Sequence, residues 1–76
     1  MDRHPNLVKL GKQIRVLRKT AGYSQESFAH SIGMARAYFG GVERGERNIA
    51  ALNLIKIASA LDVEVGQLFP SVRELQ

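Results

Sequence analysis

The residue types that do chemistry in enzymes are few in this sequence, and their spacing forms no reactive site. The two histidines, His4 and His30, have no second ligand at metal-binding spacing, so we expect no metal. Nothing orients His30 as the imidazole of a catalytic triad with a neighbouring serine. The chain has no cysteine, which excludes thiolate ligands, disulfides and a cysteine nucleophile. These residues predict a protein that is not an enzyme and needs no cofactor. Because the sequence indicates no extra domain and no evident pocket, we also expect no small-molecule ligand.

The charge balance favours a polyanionic partner. Eleven Lys and Arg residues stand against seven Asp and Glu, a formal net charge of +4. A chain of 76 residues, 45% of them hydrophobic, predicts one folded domain over residues 1–76. It has no apolar run of the roughly 18–20 residues that span a membrane, and residues 1–5 lead to no signal peptide. We therefore expect a cytoplasmic protein with no membrane partner.

Helical periodicity and chain breakers predict an all-α fold with about five short helices. The breakers are Pro5, Gly22, Gly33, Gly45, Gly66 and Pro70. The predicted helices cover about residues 6–21, 24–31, 35–44, 50–61 and 65–69. Strand-like alternation is confined to residues 63–65.

The first helix carries a cation on its apolar face. Leu7, Leu10, Ile14 and Leu17 repeat at helical spacing, and at about 100° per residue Arg18 falls inside their stripe. A cation on the core face is costly unless it is paired. The pattern therefore requires a carboxylate for Arg18 from elsewhere in the chain.

The second and third helices are joined by a turn of three to four residues centred on a glycine. Ser24 is a good N-cap for the second helix, and Gly33 ends that helix in the left-handed region. Phe39 and Val42 form the inner face of the third helix. The residues expected to face outward are Arg36, Ala37, Tyr38, Gly40 and Gly41. This arrangement is typical of a helix-turn-helix motif, here about residues 24–43.

The fourth helix has a second apolar face. Its core stripe is Leu54, Ile57, Ala58 and Leu61, whereas Leu52 and Ile55 point to a different side. Two apolar faces in so small a protein indicate a second burial partner. The predicted homodimer interface comprises Leu52, Ile55, Val63 and Val65. Leu68 and Phe69 lie near this interface. For Val63, Val65, Leu68 and Phe69, packing in their own core is the alternative, and for Phe69 it is the preferred one.

Residues 24–29 (SQESFA), 33–34 (GM) and 42–48 (VERGERN) resemble the phage-repressor/Cro-like, or Xre-type, helix-turn-helix family. Residues 36–48, followed by Asn53, are similar to the controller proteins of restriction–modification systems. The resemblance covers about residues 7–69 and implies a five-helix lambda-repressor-like DNA-binding domain. It also implies that the partner of Arg18 is Glu43, as a buried structural salt bridge rather than a DNA contact.

The resemblance implies that the third helix, about residues 35–43, enters the major groove of double-stranded DNA. The expected base contacts are Arg36, Ala37, Tyr38 and Gly40. Arg36 could donate two hydrogen bonds to guanine, or be a phosphate contact or a solvated residue. Tyr38 could reach a phosphate or a sugar–base edge, or pack partly in the core. Controller-like relatives usually have small hydroxyl residues at the positions of Ala35, Ala37 and Gly40, so readout here rests more on Arg36 and on DNA deformability.

The expected phosphate contacts lie on either side of the third helix and comprise Ser24, Gln25, Arg44, Arg47 and Asn48. Gln25 could instead be an ordinary first-turn residue, and Arg47 a solvated loop charge. Glu46 would lie near DNA and should weaken binding. The basic face of the first helix is formed by Lys9, Lys12, Arg15 and Lys19. It is either a solvated surface or a source of long-range attraction.

The predicted function is that of a transcription regulator that binds a palindromic operator as a homodimer. The resemblance to controller proteins further implies that the protein regulates its own restriction–modification operon. The alternative is an antitoxin-like protein-interaction module that also binds DNA, although few residues after Phe69 remain to clasp a toxin.

Overall fold

The structure is a computed structural model that describes residues 3–76. It has four α-helices: α1 (Pro5–Thr20), α2 (Gln25–Ser31), α3 (Arg36–Glu43) and α4 (Ala51–Leu61). Two short 3-10 helices, Val65–Leu68 and Val72–Glu74, complete the chain. The described residues contain no strand, so the prediction of an all-α helix-turn-helix fold is confirmed. Met1 and Asp2 of the predicted domain lie outside the described residues. Within residues 3–76, no helix has the length and hydropathy of a membrane span.

One apolar core joins all four α-helices and the first 3-10 helix. The largest fully buried side chains include Phe28 of α2, Phe39 of α3, Ile14 of α1, Ile57 of α4 and Leu68. The rings of Phe28 and Phe39 pack with centroids 5.2 Å apart. Ile14, Phe39 and Ile57 lie on the faces that helical periodicity assigned to the interior. Leu68 is buried in the core of its own chain and is not available to a dimer interface. Burial of these faces holds α3 between α1 and α2.

Helix α1 contacts the carboxyl end of α3 so closely that only glycine fits at the crossing. A Cβ atom on Gly11 would lie 2.4 Å from the backbone oxygen of Glu43. The loop after α3 also lies close against α1. A Cβ atom on Gly45 would lie 2.6 Å from the Cα of Val8, and Gly45 adopts φ +76°. These contacts fix where α3 ends relative to α1.

The outward orientation predicted for Gly40 and Gly41 is wrong, because both glycines are buried. A Cβ atom on Gly40 would lie 3.0 Å from Arg44 Nη1 and 3.2 Å from Gln25 Oε1. On Gly41 it would lie 2.9 Å from Arg47 Cγ. Long side chains from α2, from the residue that ends α3 and from the following loop (Gln25, Arg44 and Arg47) fold back over this part of the helix. The glycines therefore provide room for those side chains, and Gly40 does not present an open surface.

Candidate nucleic-acid interface

The turn between α2 and α3 follows from local chemistry. The Ser24 hydroxyl accepts a hydrogen bond from the backbone N–H of Ser27 at 3.0 Å and caps α2. Gly33 adopts φ +66°, a conformation that glycine takes without steric cost. The N–H of Met34 then donates to the carbonyl of Ala29 at 2.9 Å, which closes the end of α2. The chain is thus redirected within a few residues, and α3 begins at Arg36.

The first turn of α3 is the exposed part of that helix. Arg36 and Ala37 are both exposed, and no side chain caps the helix at Ala35. Arg36 Nε lies 4.0 Å from Glu26 Oε2, and the two side chains are 65% and 80% exposed. At 4.0 Å the contact is a weak exposed ion pair and not a hydrogen bond, so the Arg36 guanidinium can donate its hydrogen bonds to a ligand.

The carboxyl end of α3 carries the buried ion pair. Arg18 Nε donates to Glu43 Oε2 at 2.7 Å, and Arg18 Nη2 donates to Glu43 Oε1 at 3.0 Å. Arg18 Nη1 donates to the backbone oxygen of Tyr23 at 2.8 Å, and Gln25 Nε2 donates to Glu43 Oε1 at 2.9 Å. The carboxylate that the α1 pattern required is therefore Glu43. The pair has the bidentate geometry and extra hydrogen bonds that a buried charge pair needs.

Tyr38 lies between the core and the surface. It is half-buried against the core, and its hydroxyl accepts a hydrogen bond from Asn53 Nδ2 at 3.3 Å. The guanidinium carbon of Arg47 lies 6.0 Å from the centre of the Tyr38 ring, at the outer range of a cation–π contact. These contacts hold the Tyr38 hydroxyl at the edge of α3 and place the Arg47 side chain beside it.

The loop after α3 gathers two arginines around one carboxylate. Arg44 Nε lies 3.2 Å from Glu46 Oε1, and Arg3 Nη2 lies 2.9 Å from Glu46 Oε2. Asn48 is exposed in the same loop. Arg3 carries no sequence signal for this site, because a single arginine ahead of α1 has no motif and its partner is 43 positions away.

Seven of the nine residues predicted to contact DNA line three linked depressions in the surface, and Ala37 and Gly40 line none of the three. Ser24, Gln25 and Arg36 line the first, and Gln25 and Arg44 line the second. Tyr38, Arg47 and Asn48 line the third together with Arg3 and Glu46. Gln25 is common to the first two depressions, and the Arg44–Glu46 contact links the second to the third. Their contacts with DNA remain predictions.

The second apolar face of α4 is open. Leu52 is 75% exposed and Ile55 is 51% exposed. Val65 is also exposed, whereas Val63 is partly buried against the core of its own chain. The exposed apolar surface of α4 is therefore centred on Leu52 and Ile55.

Comparison with known proteins gives one consistent family. The Helix-turn-helix (HTH_3) family model matches residues 14–68. The control protein C.MunI of a Mycoplasma species is 35% identical over 68 residues, which are 88% of this chain and 92% of that protein.

Two solved structures extend the comparison. The restriction-modification controller protein C.AhdI from Aeromonas hydrophila superposes with a TM-score of 0.80 at 51% identity, over 83% of this chain and 96% of that chain. The biofilm master regulator SinR in complex with DNA superposes with a TM-score of 0.74 at 35% identity, over 78% and 95% of the two chains. This chain therefore belongs to the Xre-like helix-turn-helix (HTH_3) family of DNA-binding regulators, which are not enzymes, and restriction-modification controllers are among its relatives.

Proposed function

We propose that this regulator is a homodimer that binds a palindromic operator in double-stranded DNA, with α3 of each protomer in the major groove. The observation that carries the proposal is the asymmetry of α3. Its first turn presents Arg36 and Ala37 to solvent, while its last turn is locked to α1 by the Arg18–Glu43 pair. A helix fixed at one end and open at the other is a rigid support for base recognition.

Arg36 is the principal base-reading residue in this proposal. Its exposed guanidinium can donate two parallel hydrogen bonds to O6 and N7 of a guanine. Ala37 offers a methyl contact to a thymine, and Tyr38 offers its hydroxyl at the groove edge. Gly40, which is covered by Gln25 and Arg44, contributes by leaving room for those two side chains rather than by touching a base.

Backbone phosphates would contact the groups on either side of α3. Ser24 and Gln25 lie at the start of α2, and Arg44, Arg47 and Asn48 follow the end of α3. The Gln25 side-chain amide donates one hydrogen bond to Glu43, and this bond holds the Gln25 side chain beside Gly40. Phosphate contacts of this kind set the register of the helix in the groove without reading sequence.

Homodimerisation would bury the open face of α4. Leu52 and Ile55 are large exposed apolar side chains one helical turn apart, and contiguous exposed apolar surface of this kind favours a protein–protein contact. A two-fold axis through this face would place the two copies of α3 in successive major grooves, about 34 Å apart.

The relatives that are restriction-modification controllers lead us to propose that one operator lies upstream of the regulator's own gene. Control would then follow protein concentration through the monomer–dimer equilibrium.

The test of DNA recognition is selection of bound fragments from a genomic duplex library at two salt concentrations, followed by sequencing. Enrichment of an approximate palindrome, with binding that weakens steeply as salt rises, is the expected result. Binding without enrichment would reject sequence-specific recognition, and the antitoxin-like interaction module would become the better hypothesis.

The test of the dimer is analytical ultracentrifugation of Ile55→Glu beside Val72→Glu. Val72 is 84% exposed and lies in the C-terminal 3-10 helix, so its variant carries the same new charge away from α4. Ile55→Glu is expected to sediment as a monomer and Val72→Glu as a dimer. A dimer in both would show that the interface lies elsewhere.

A further inference from the structure

Arg3 lies at the edge of the proposed DNA-binding surface although it is remote from it in sequence. Its Nη2 atom is 2.9 Å from Glu46 Oε2 in the loop after α3. Together with Glu46 it lines the depression that also contains Tyr38, Arg47 and Asn48. Arg3 thus shares a concave surface with three residues proposed to contact DNA.

Glu46 is the carboxylate at the centre of this charge cluster. Its two oxygens lie within ion-pair distance of Arg3 and Arg44, and Arg47 lines the same depression as Glu46. The side chains of Arg3 and Arg44 are 50% and 53% exposed, and that of Glu46 is 36% exposed. Ion pairs at this exposure are weak, so a second anion can compete with Glu46 for a guanidinium.

We propose that Arg3 is a further DNA-binding residue, held by Glu46 in the free protein and transferred to a backbone phosphate when DNA binds. The proposal rests on the DNA-binding function proposed above and adds a phosphate contact to it. A guanidinium binds phosphate oxygens through the same paired hydrogen bonds that it makes to a carboxylate. The Arg3 side chain can therefore change partner without losing its hydrogen bonding.

The ion pair between Arg44 and Glu46 lowers the cost of this exchange of partners. When Arg3 turns to a phosphate, Glu46 keeps its contact with Arg44 Nε at 3.2 Å and is not left as an isolated negative charge beside DNA. This contact uses only the Nε of Arg44, so its Nη groups can still donate to a phosphate. In the free protein, the same carboxylate keeps the Arg3 side chain next to the depression rather than in solvent. Glu46 therefore weakens DNA binding by competition, and it also keeps Arg3 near the position where a phosphate would bind.

The experiment compares Arg3→Gln with Lys12→Gln on a selected operator and on a scrambled duplex. Each variant loses one positive charge, but Lys12 lies in a groove of α1 beside Val16 and Pro70. A lost phosphate contact should reduce the slope of log affinity against log salt by about 0.9 per protomer. We expect this reduction for Arg3→Gln, equally on both duplexes, and a slope near that of the wild type for Lys12→Gln. Arg3→Lys should keep the wild-type slope, because the cation is retained.

The role of Glu46 is tested by Glu46→Gln in the wild-type and Arg3→Gln backgrounds. Removal of the competitor should tighten binding several-fold in the first background and by a smaller factor in the second. An equal gain in both would show that Glu46 acts only through its overall charge and would overturn the partner exchange. Weaker binding of Glu46→Gln in the wild-type background would overturn the competition as well.

The outcomes separate this inference from the function on which it rests. If wild-type protein selects an operator but Arg3→Gln and Lys12→Gln have the same salt slope, the Arg3 contact is disproved and the regulator function stands. If wild-type protein shows no salt-dependent binding to any duplex, the proposed function fails, and the Arg3 contact fails with it.

Discussion

Helix α3 has an ion pair at each end, and the two pairs differ in burial. At its start, Arg36 lies 4.0 Å from Glu26 of α2, with side chains 65% and 80% exposed. At its end, Glu43 lies 2.7 Å from Arg18 of α1, with side chains 3% and 6% exposed. The same chemistry therefore serves two purposes. The buried pair fixes the helix to the domain, and the exposed pair leaves its arginine available to a ligand.

Burial explains this difference in energetic terms. Removal of one partner from a buried pair leaves a desolvated charge, whereas removal of one partner from an exposed pair leaves a charge that water solvates. Changes at the end of α3 should therefore alter folding, and changes at its start should alter binding. Substitutions at the two ends of α3 test this division.

Glu43→Ala should cause the largest loss of stability. It leaves the buried Arg18 guanidinium without its carboxylate, which costs about 3–5 kcal/mol in comparable sites. Urea denaturation followed by circular dichroism at one fixed protein concentration measures the loss. The double variant Arg18→Met/Glu43→Leu should recover much of it, because no buried charge remains. A loss below about 1 kcal/mol for Glu43→Ala would show that the pair contributes little to the fold.

Gly11→Ala should destabilise the same end of α3 from the side of α1. The new methyl group would lie 2.4 Å from the backbone oxygen of Glu43 and 2.5 Å from that of Val42. Separation of the helices to admit it should cost about 1–3 kcal/mol. Gly66→Ala is the matched control, because a Cβ atom there meets no atom within 4 Å. Equal stability of both variants in the denaturation assay would contradict the close contact.

Arg36→Ala should leave folding unchanged and reduce recognition. The unfolding free energy should stay within about 0.5 kcal/mol of wild type, since the side chain is exposed. Discrimination between the operator and scrambled DNA should fall by about 1–3 kcal/mol, the worth of a bidentate guanine contact. Competition binding with both duplexes distinguishes the possible roles. An equal loss of affinity on both would identify Arg36 as a phosphate contact.

Glu26→Gln should have the smallest effect. It removes the partner of Arg36, but the pair is long and exposed, so the unfolding free energy should change by less than about 0.5 kcal/mol. Operator affinity should remain the same or increase slightly, because a carboxylate near the DNA is lost. A decrease in operator discrimination comparable to that of Arg36→Ala would mean that Glu26 positions Arg36 for base contact.

The sequence predicted the helices and the turn because their signals are local. The apolar spacing in α1, the Ser24 cap and Gly33 each act within a few residues, and each predicted α-helix boundary lies within one or two residues of the observed one. Periodicity also showed that Arg18 faces the core and needs a carboxylate. The identification of that carboxylate as Glu43 came from the family resemblance, since spacing alone did not select among the seven acidic residues.

Periodicity failed where long side chains from other segments cover a helix. Gly40 and Gly41 were expected to face outward, yet Gln25, Arg44 and Arg47 lie over them. The angular position of a residue on a helix does not show whether a flexible side chain from a neighbouring loop folds back over it. The surface of α3 was therefore predicted correctly at Arg36 and incorrectly at the glycines.

Local sequence signals were enough to predict the helix-turn-helix organisation, the basic character of the chain and the requirement for a partner at Arg18. Tertiary structure alone decided that Gly11 admits the backbone of α3 and that Arg3 meets Glu46 across 43 positions. The difference lies in how far along the chain each interaction reaches. Capping, turns and periodicity depend on neighbouring residues, whereas close approach and charge pairing between distant segments depend on how the helices pack.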